Sequence, residues 1–149
     1  MRLTRGLEID AGRFKVPFGR ETLVGRCNLD FVHRSLGASQ LAPSRDTGVM
    51  AHGRVLGRRL RYEAGYFHRD GDNARTSQTL GARGTVAVRV VATPLAGRSD
   101  APRSRIQIGI AVAQSGLDNR LGLRGATLLR DGVFFDRVYV NGRRRRVGL

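Results

Sequence analysis

Apolar side chains recur at every second position over much of this 149-residue chain, and that pattern constrains its fold more than any other feature. A period of two places successive side chains on opposite faces of a β-strand, whereas an amphipathic helix requires a period of about 3.6. The alternation is present in five segments, at residues 7–14, 49–55, 60–67, 86–92 and 106–113. The sequence therefore predicts an all-β fold.

Turn signals between these segments predict hairpins that join neighbours in the sequence. Gly57 lies between two of the segments, and Pro94 ends a third because proline cannot donate to a sheet ladder. Residues 133–140 predict a further strand. The segment 143–149 is predicted to begin another, with Arg143–Arg146 in a solvated turn. We therefore expect an antiparallel meander of about six or seven strands.

The charge of the chain limits what these strands can face. The formal net charge is +15, and Lys15 is the only lysine among 27 basic residues. Unpaired charges are rarely buried, so the surplus must face water, nucleic acid, an anionic membrane surface or a path for small anions. Cys27 is the only cysteine, which excludes a disulfide framework within the chain. No segment approaches the roughly 18 consecutive apolar residues of a transmembrane helix.

The second face of the alternating segments fits a membrane barrel, although a soluble sandwich also alternates and stays open on periodicity alone. It carries Arg61, Glu63, Arg89 and Gln107 among glycine and alanine residues, as expected for a wet concave lumen. The other face is aliphatic, with tyrosines suited to the edge of a bilayer. The side chains predicted to share this convex, lipid-facing side are Leu60, Tyr62, Ala64, Val86, Val88, Val90, Ile106, Ile108 and Ile110. One interpretation is part of a transmembrane β-barrel, and a soluble β-sandwich is the other.

The alternation stops between about residues 17 and 46, which predicts a long, charged loop with a short helix near residues 21–24. Loops of this length are usually functional. One alternative is that Glu21 and Arg34 only form an ion pair that anchors the loop. The three histidines of the chain lack the spacing of metal ligands, so no metal site is predicted.

Four segments occur in an order that is specific. They are GRFKVPFGRE (12–21), LDFVHRSL (29–36), SRDTGVMAHG (44–53) and YEAGYFHRDG (62–71). Together they resemble the phosphate-selective porin O and P family. The resemblance implies a homotrimeric porin of the bacterial outer membrane that passes inorganic anions such as phosphate through a basic lumen.

The resemblance and the charges together give a candidate anion path. The long loop is expected to fold into the lumen as a constriction, where basic side chains select anions. The candidate residues are Lys15, Arg20, Arg34, Arg45, Arg61 and Arg89. Alternatively, Arg13 and Lys15 face lipid headgroups at a strand end. No nucleophile–base set or phosphate-binding loop is present, so we expect neither an enzyme nor a cofactor.

A closed porin needs about 16–18 strands, so we expect residues 1–149 to be one incomplete barrel domain, an internal piece of a longer precursor. The main alternative function is a soluble basic β-domain that binds nucleic acid. Its weakness is the shortage of stacking side chains, since the chain has only 6 Phe and 3 Tyr. A third alternative is a structural outer-membrane protein without a transport role.

Overall fold

Strands that are neighbours in the sequence are also neighbours in the sheet. The computed structural model describes residues 2–4, 6–31, 33–69, 83–94, 106–126 and 133–149. Its strands are β1 (Arg2–Thr4), β2 (Leu7–Lys15), β3 (Arg45–Val55), β4 (Leu60–Phe67), β5 (Arg83–Ala92), β6 (Ile108–Ala126) and β7 (Val133–Gly148). They form a single seven-stranded sheet in the order β1 to β7, and every pairing is antiparallel. The predicted all-β meander is confirmed.

Helical structure in the described residues is confined to the segment between β2 and β3. It consists of α1 (Arg20–Leu23), a 3-10 turn (Arg26–Asn28) and α2 (Leu36–Gln40). The prediction of a short helix near residues 21–24 is thus confirmed to within one residue. None of the helices in the described ranges is long and apolar enough to cross a membrane.

The C-terminal strand differs from the sequence prediction. Arg143–Arg146 do not form a turn but lie within β7, opposite residues 113–116 of β6. The prediction of a turn followed by a new strand was therefore wrong. The physical reason is that an antiparallel ladder accepts charged side chains on both faces where each face meets water or polar neighbours. Both β6 and β7 are also longer than the alternation indicates.

The two faces of the sheet differ sharply in burial. The inner face is defined here by the buried residues Phe67 of β4, Ala87 of β5 and Ala113 of β6, and the outer face is the opposite side. Large apolar side chains exposed on the outer face are Val49, Tyr66, Val86, Val88, Ile108, Ile110, Val112 and Val147. The predicted segregation into two faces is confirmed, with Arg61, Glu63 and Arg89 on the inner one.

The start of the β2–β3 segment packs against the inner face. Val16 joins Phe67, Ala87 and Ala113 in a buried cluster, and Phe14 and Phe18 pack against it. The rings of Phe14 and Phe67 meet edge to face, with centroids 5.4 Å apart. Small wall residues leave room for this aromatic layer, because large ones would occupy the same space.

Gly48 and Gly65 show why the wall must be small at this point. A Cβ at Gly65 would lie 2.9 Å from the ring of Phe67, and one at Gly48 would clash with the carbonyl oxygen of Tyr66. Both separations are below van der Waals contact, so any larger residue would displace the Phe67 ring or the backbone of β4. The glycines therefore help to fix where residues 16–18 meet the sheet.

Candidate functional site

The long loop between β2 and β3 turns onto the inner face. The amide of Val16 donates to the carbonyl of Ser44 at 2.9 Å, which closes the neck of the loop. Pro17 and Pro43 are both buried beside this neck. Beyond it, the ring of Phe18 lies beside Gly148, 3.3 Å from where a Cβ would stand. The first turn of the loop thus lies between β4–β5 on one side and β7 on the other.

A cavity of about 140 Å³ separates this loop from the wall. Arg20 lines it from the loop, and Arg89 and Gln107 line it from the sheet side. Gly109 and Ala111 contribute small surfaces that leave the space open. The structure therefore brings together two of the predicted anion-path residues, Arg20 and Arg89, around one space large enough for a small hydrated ion.

Two other predicted residues are hydrogen-bonded to the loop backbone. The Lys15 ammonium donates to the carbonyls of Leu23 and Val24, at 3.0 and 2.9 Å. The Arg34 guanidinium donates to the carbonyls of Glu21 and Val24, at 3.1 and 2.9 Å. These carbonyls lie in and just after α1, where helical carbonyls lack intrahelical partners and favour positive charge. Lys15 and Arg34 therefore hold the loop in place.

The Glu21 carboxylate joins α1 to α2. It accepts hydrogen bonds from the Ser35 amide at 2.5 Å and from the Ser35 hydroxyl at 2.6 Å, and Ser35 in turn caps α2 by accepting from Ala38. These two bonds, together with the Arg34 charge, hold the pKa of Glu21 below its ordinary value of 4.5. The suggested Glu21–Arg34 anchor thus takes another form, because Arg34 bonds to the Glu21 carbonyl and Ser35 bonds to its carboxylate.

This arrangement predicts an acid-sensitive loop. The folded state lowers the pKa of Glu21. The ionised carboxylate therefore stabilises the folded loop fully above pH 4.5, and this stabilisation is lost as the pH falls through the lowered pKa. A spin label on Cys27, the only cysteine and an exposed one, reports loop mobility directly. We expect wild-type mobility to rise on acidification, whereas Glu21→Gln should be mobile already at neutral pH. Asp30→Asn, an exposed carboxylate in the same loop, is the matched control and should retain the wild-type titration.

Glu63 is shared between the two predicted wall arginines. Its carboxylate bonds to Arg61 at 2.5 Å and to Arg89 at 2.9 Å. The side chains of Glu63 and Arg89 are 4% and 12% exposed, whereas that of Arg61 is 47% exposed. The three groups carry one net positive charge, with Arg61 the more accessible of the two cations. The sequence placed all three on one face but gave no sign that one carboxylate serves both arginines.

The row of inner-face residues continues across β3 and β2. His52, opposite Glu63 in the register, lies 2.9 Å from the Asp10 carboxylate. This pairs an acidic residue with the one histidine on the inner wall of β3. Across the part of the chain that is described, no cluster of three or more His, Cys, Asp or Glu side chains could hold a metal ion.

Two inner-face arginines were missed by the sequence analysis. Arg144 and Arg146 lie opposite the buried residues Ser115 and Ala113, which places them on the inner face of β7. Their neighbours Arg143 and Arg145 are exposed, and Arg145 donates to Gln114 of the outer face at 3.2 Å. In a run of four identical residues, the side chains that face inward cannot be identified until the register is known.

Arg45, like the Lys15 opposite it in the register, is a predicted residue whose strand position the fold places on the outer side. It is the exposed first residue of β3, it pairs with Lys15, and its neighbour Asp46 is buried on the inner side. Arg45 therefore lies on the outer side, at the end of the sheet where the β2–β3 loop leaves β2 and enters β3, which we call the loop end. It is close enough to Lys15 for the two positive charges to repel each other.

Comparison with known protein families bears on these alternatives. The family described as phosphate-selective porin O and P matches residues 2–110, which is most of the chain. The chain belongs to this family. The match covers β1 to β5, the β2–β3 loop and all four sequence segments that carry the resemblance. Neither the curated proteins nor the solved structures include a match.

Family membership indicates an outer-membrane anion porin, which is a channel rather than an enzyme. It favours this interpretation over a soluble nucleic-acid-binding domain. The exposed aliphatic outer face and the charged inner face are the two surfaces that a membrane porin requires.

Proposed function

We propose that this porin conducts phosphate-like anions through a lumen whose wall is the inner face of the sheet, with the loop at about residues 17–46 as its constriction. The observation that carries the proposal is the cavity that Arg20 of the loop shares with Arg89 of β5. An anion that passes between loop and wall meets guanidinium groups from both sides. Guanidinium groups offer paired donors that match phosphate oxygens.

The six candidate residues have different roles in this proposal. Arg20, Arg61 and Arg89 contact the ion, because they line the cavity or the inner wall. Lys15 and Arg34 position the loop, since their donors are bonded to its carbonyls. Arg45 adds positive charge at the loop end of β3 and attracts anions without contacting them.

The net charge of the path must remain moderate. An ion that binds strongly enters but does not leave, so conduction needs several weak sites. The Glu63 carboxylate serves this need by neutralising one of two neighbouring guanidinium groups. Arg144 and Arg146 extend the basic wall to β7, which adds further weak sites along the same face.

The outer face completes the proposal. Its exposed aliphatic side chains face the lipid of the bacterial outer membrane. In this proposal the sheet is one part of a closed barrel. By analogy with the family, the functional unit is a homotrimer, with inorganic anions as the diffusing solutes.

Phosphate block of chloride current tests the constriction. In a planar bilayer containing the full-length porin, we expect phosphate to reduce the chloride current by occupying the path. Arg20→Gln should raise the phosphate concentration needed for half-block by about 10-fold, the loss of one charge-assisted contact of about 1.5 kcal/mol. Arg13→Gln, on the outer face of β2, is the matched control and should behave as wild type. Equal block in all three proteins would contradict the proposal.

A further inference from the structure

Exposed arginines occupy the loop end of the outer face. On β2 the outer residue Ala11 is followed by Arg13, and on β7 the outer residue Val147 is preceded by Arg145 and Arg143. Arg45 occupies the corresponding end of β3. All four arginines are exposed. We call Arg13, Arg45, Arg143 and Arg145 the outer basic belt.

The belt lies on strand positions at one end of the sheet, whereas Arg58 and Arg59, exposed at the other end, lie in the turn between β3 and β4. At the other end the outer positions remain apolar up to the turns, with Val55 at the end of β3, Leu60 at the start of β4 and Ile108 at the start of β6. Between the two ends lie the exposed aliphatic side chains of the outer face. The belt is therefore the place where an apolar, lipid-contacting surface becomes positively charged.

We propose that the outer basic belt binds the phosphate groups of lipid headgroups in the leaflet that surrounds the loop end of this porin. The belt has one pair of guanidinium groups on β2–β3 and one pair on β7, with β4–β6 between them. Guanidinium groups beside an aliphatic band match the order of phosphate above acyl chain in a lipid. Basic side chains beside an anionic membrane surface each strengthen association. The arginines do not contact an anion in the path, because strand alternation turns them away from the inner face.

Alternation within β7 supplies a matched pair of variants for the test. Arg143→Gln/Arg145→Gln removes two charges from the belt, and Arg144→Gln/Arg146→Gln removes two charges from the inner face of the same strand. Each protein is the full-length porin refolded in vesicles of phosphatidylcholine with a minor fraction of phosphatidic acid. The affinity for phosphatidic acid is measured by native mass spectrometry after transfer to detergent.

The belt double variant should lose affinity for phosphatidic acid by roughly 25-fold, on the order of fivefold for each arginine. The inner-face double variant should bind it as wild type does. An unchanged affinity in the belt variant, or an equal loss in both variants, would overturn the proposal. So would a change of oligomeric state in the belt variant with lipid affinity intact, because the belt would then contact a second copy of the chain.

The ion selectivity of the same proteins separates this inference from the proposed function. The belt variant should keep the wild-type reversal potential in a salt gradient, whether or not the wild type proves to be anion-selective. A reversal potential that moves with the belt charges would mean that the arginines face the lumen, and this would overturn the assignment of the belt to lipid.

Discussion

Replacing Glu63 with Gln is expected to destabilise the folded porin by about 3 kcal/mol, because it leaves the partly buried Arg89 guanidinium without its carboxylate. Removing one partner of a buried ion pair costs far more than the pair contributes, since the other charge stays desolvated. Urea unfolding of the refolded porin in vesicles measures the free energy directly. Glu63→Gln combined with Arg89→Gln should recover much of the loss, because both charges are then absent.

Asp10→Asn is the matched control for this prediction. Asp10 pairs with His52, and its side chain is 52% exposed, so its loss should cost at most about 1 kcal/mol. Equal effects of Glu63→Gln and Asp10→Asn would mean that water screens Glu63 as well as it screens Asp10. The shared carboxylate would then have no special structural role.

Removing both loop anchors is expected to widen the pore. In Lys15→Gln/Arg34→Gln, the Val24 carbonyl loses both of its charged donors and the Leu23 carbonyl loses one. Hydrogen bonds from charged groups contribute about 1.5–3 kcal/mol each, so the loop should detach from its position for a measurable fraction of time. Single-channel recording should show a larger and noisier conductance than wild type.

The direction of this change separates two roles for Lys15 and Arg34. If these residues bound the permeating anion, their removal would lower the conductance for anions instead of raising it. The spin label on Cys27 provides the second measurement, and it should become more mobile in the double variant. Arg13→Gln, an exposed charge near the end of β2, should change neither the conductance nor the label mobility.

The alternating strands could be predicted because aliphatic residues mark one face of each. Leu60–Phe67 has such a marker at every second position, and its predicted bounds agree with β4. Arg143–Arg146 have none, so neither their strand nor their orientation was evident. A run of identical residues carries no period, and pairing with β6 decides which of them face inward.

The candidate site was only partly predictable for a related reason. Arg61 and Arg89 could be assigned to one face from alternation within each strand. Their shared carboxylate depends on the register of β4 against β5, which places Glu63 opposite Arg89. The convergence of Lys15 and Arg34 on the Val24 carbonyl depends on the path of the loop. Such contacts between distant parts of the chain leave no local pattern in the sequence.

The reversal potential in a chloride gradient tests the central claim most directly, because it measures whether the lumen selects anions and which residues cause this. The wild-type full-length porin should show a reversal potential on the anion-selective side. Arg144→Gln/Arg146→Gln should move it toward the cation side, whereas Arg143→Gln/Arg145→Gln, with the same charge removed from the same strand, should leave it unchanged. A cation-selective wild type, or equal shifts in the two double variants, would contradict an anion path along the inner face of the sheet.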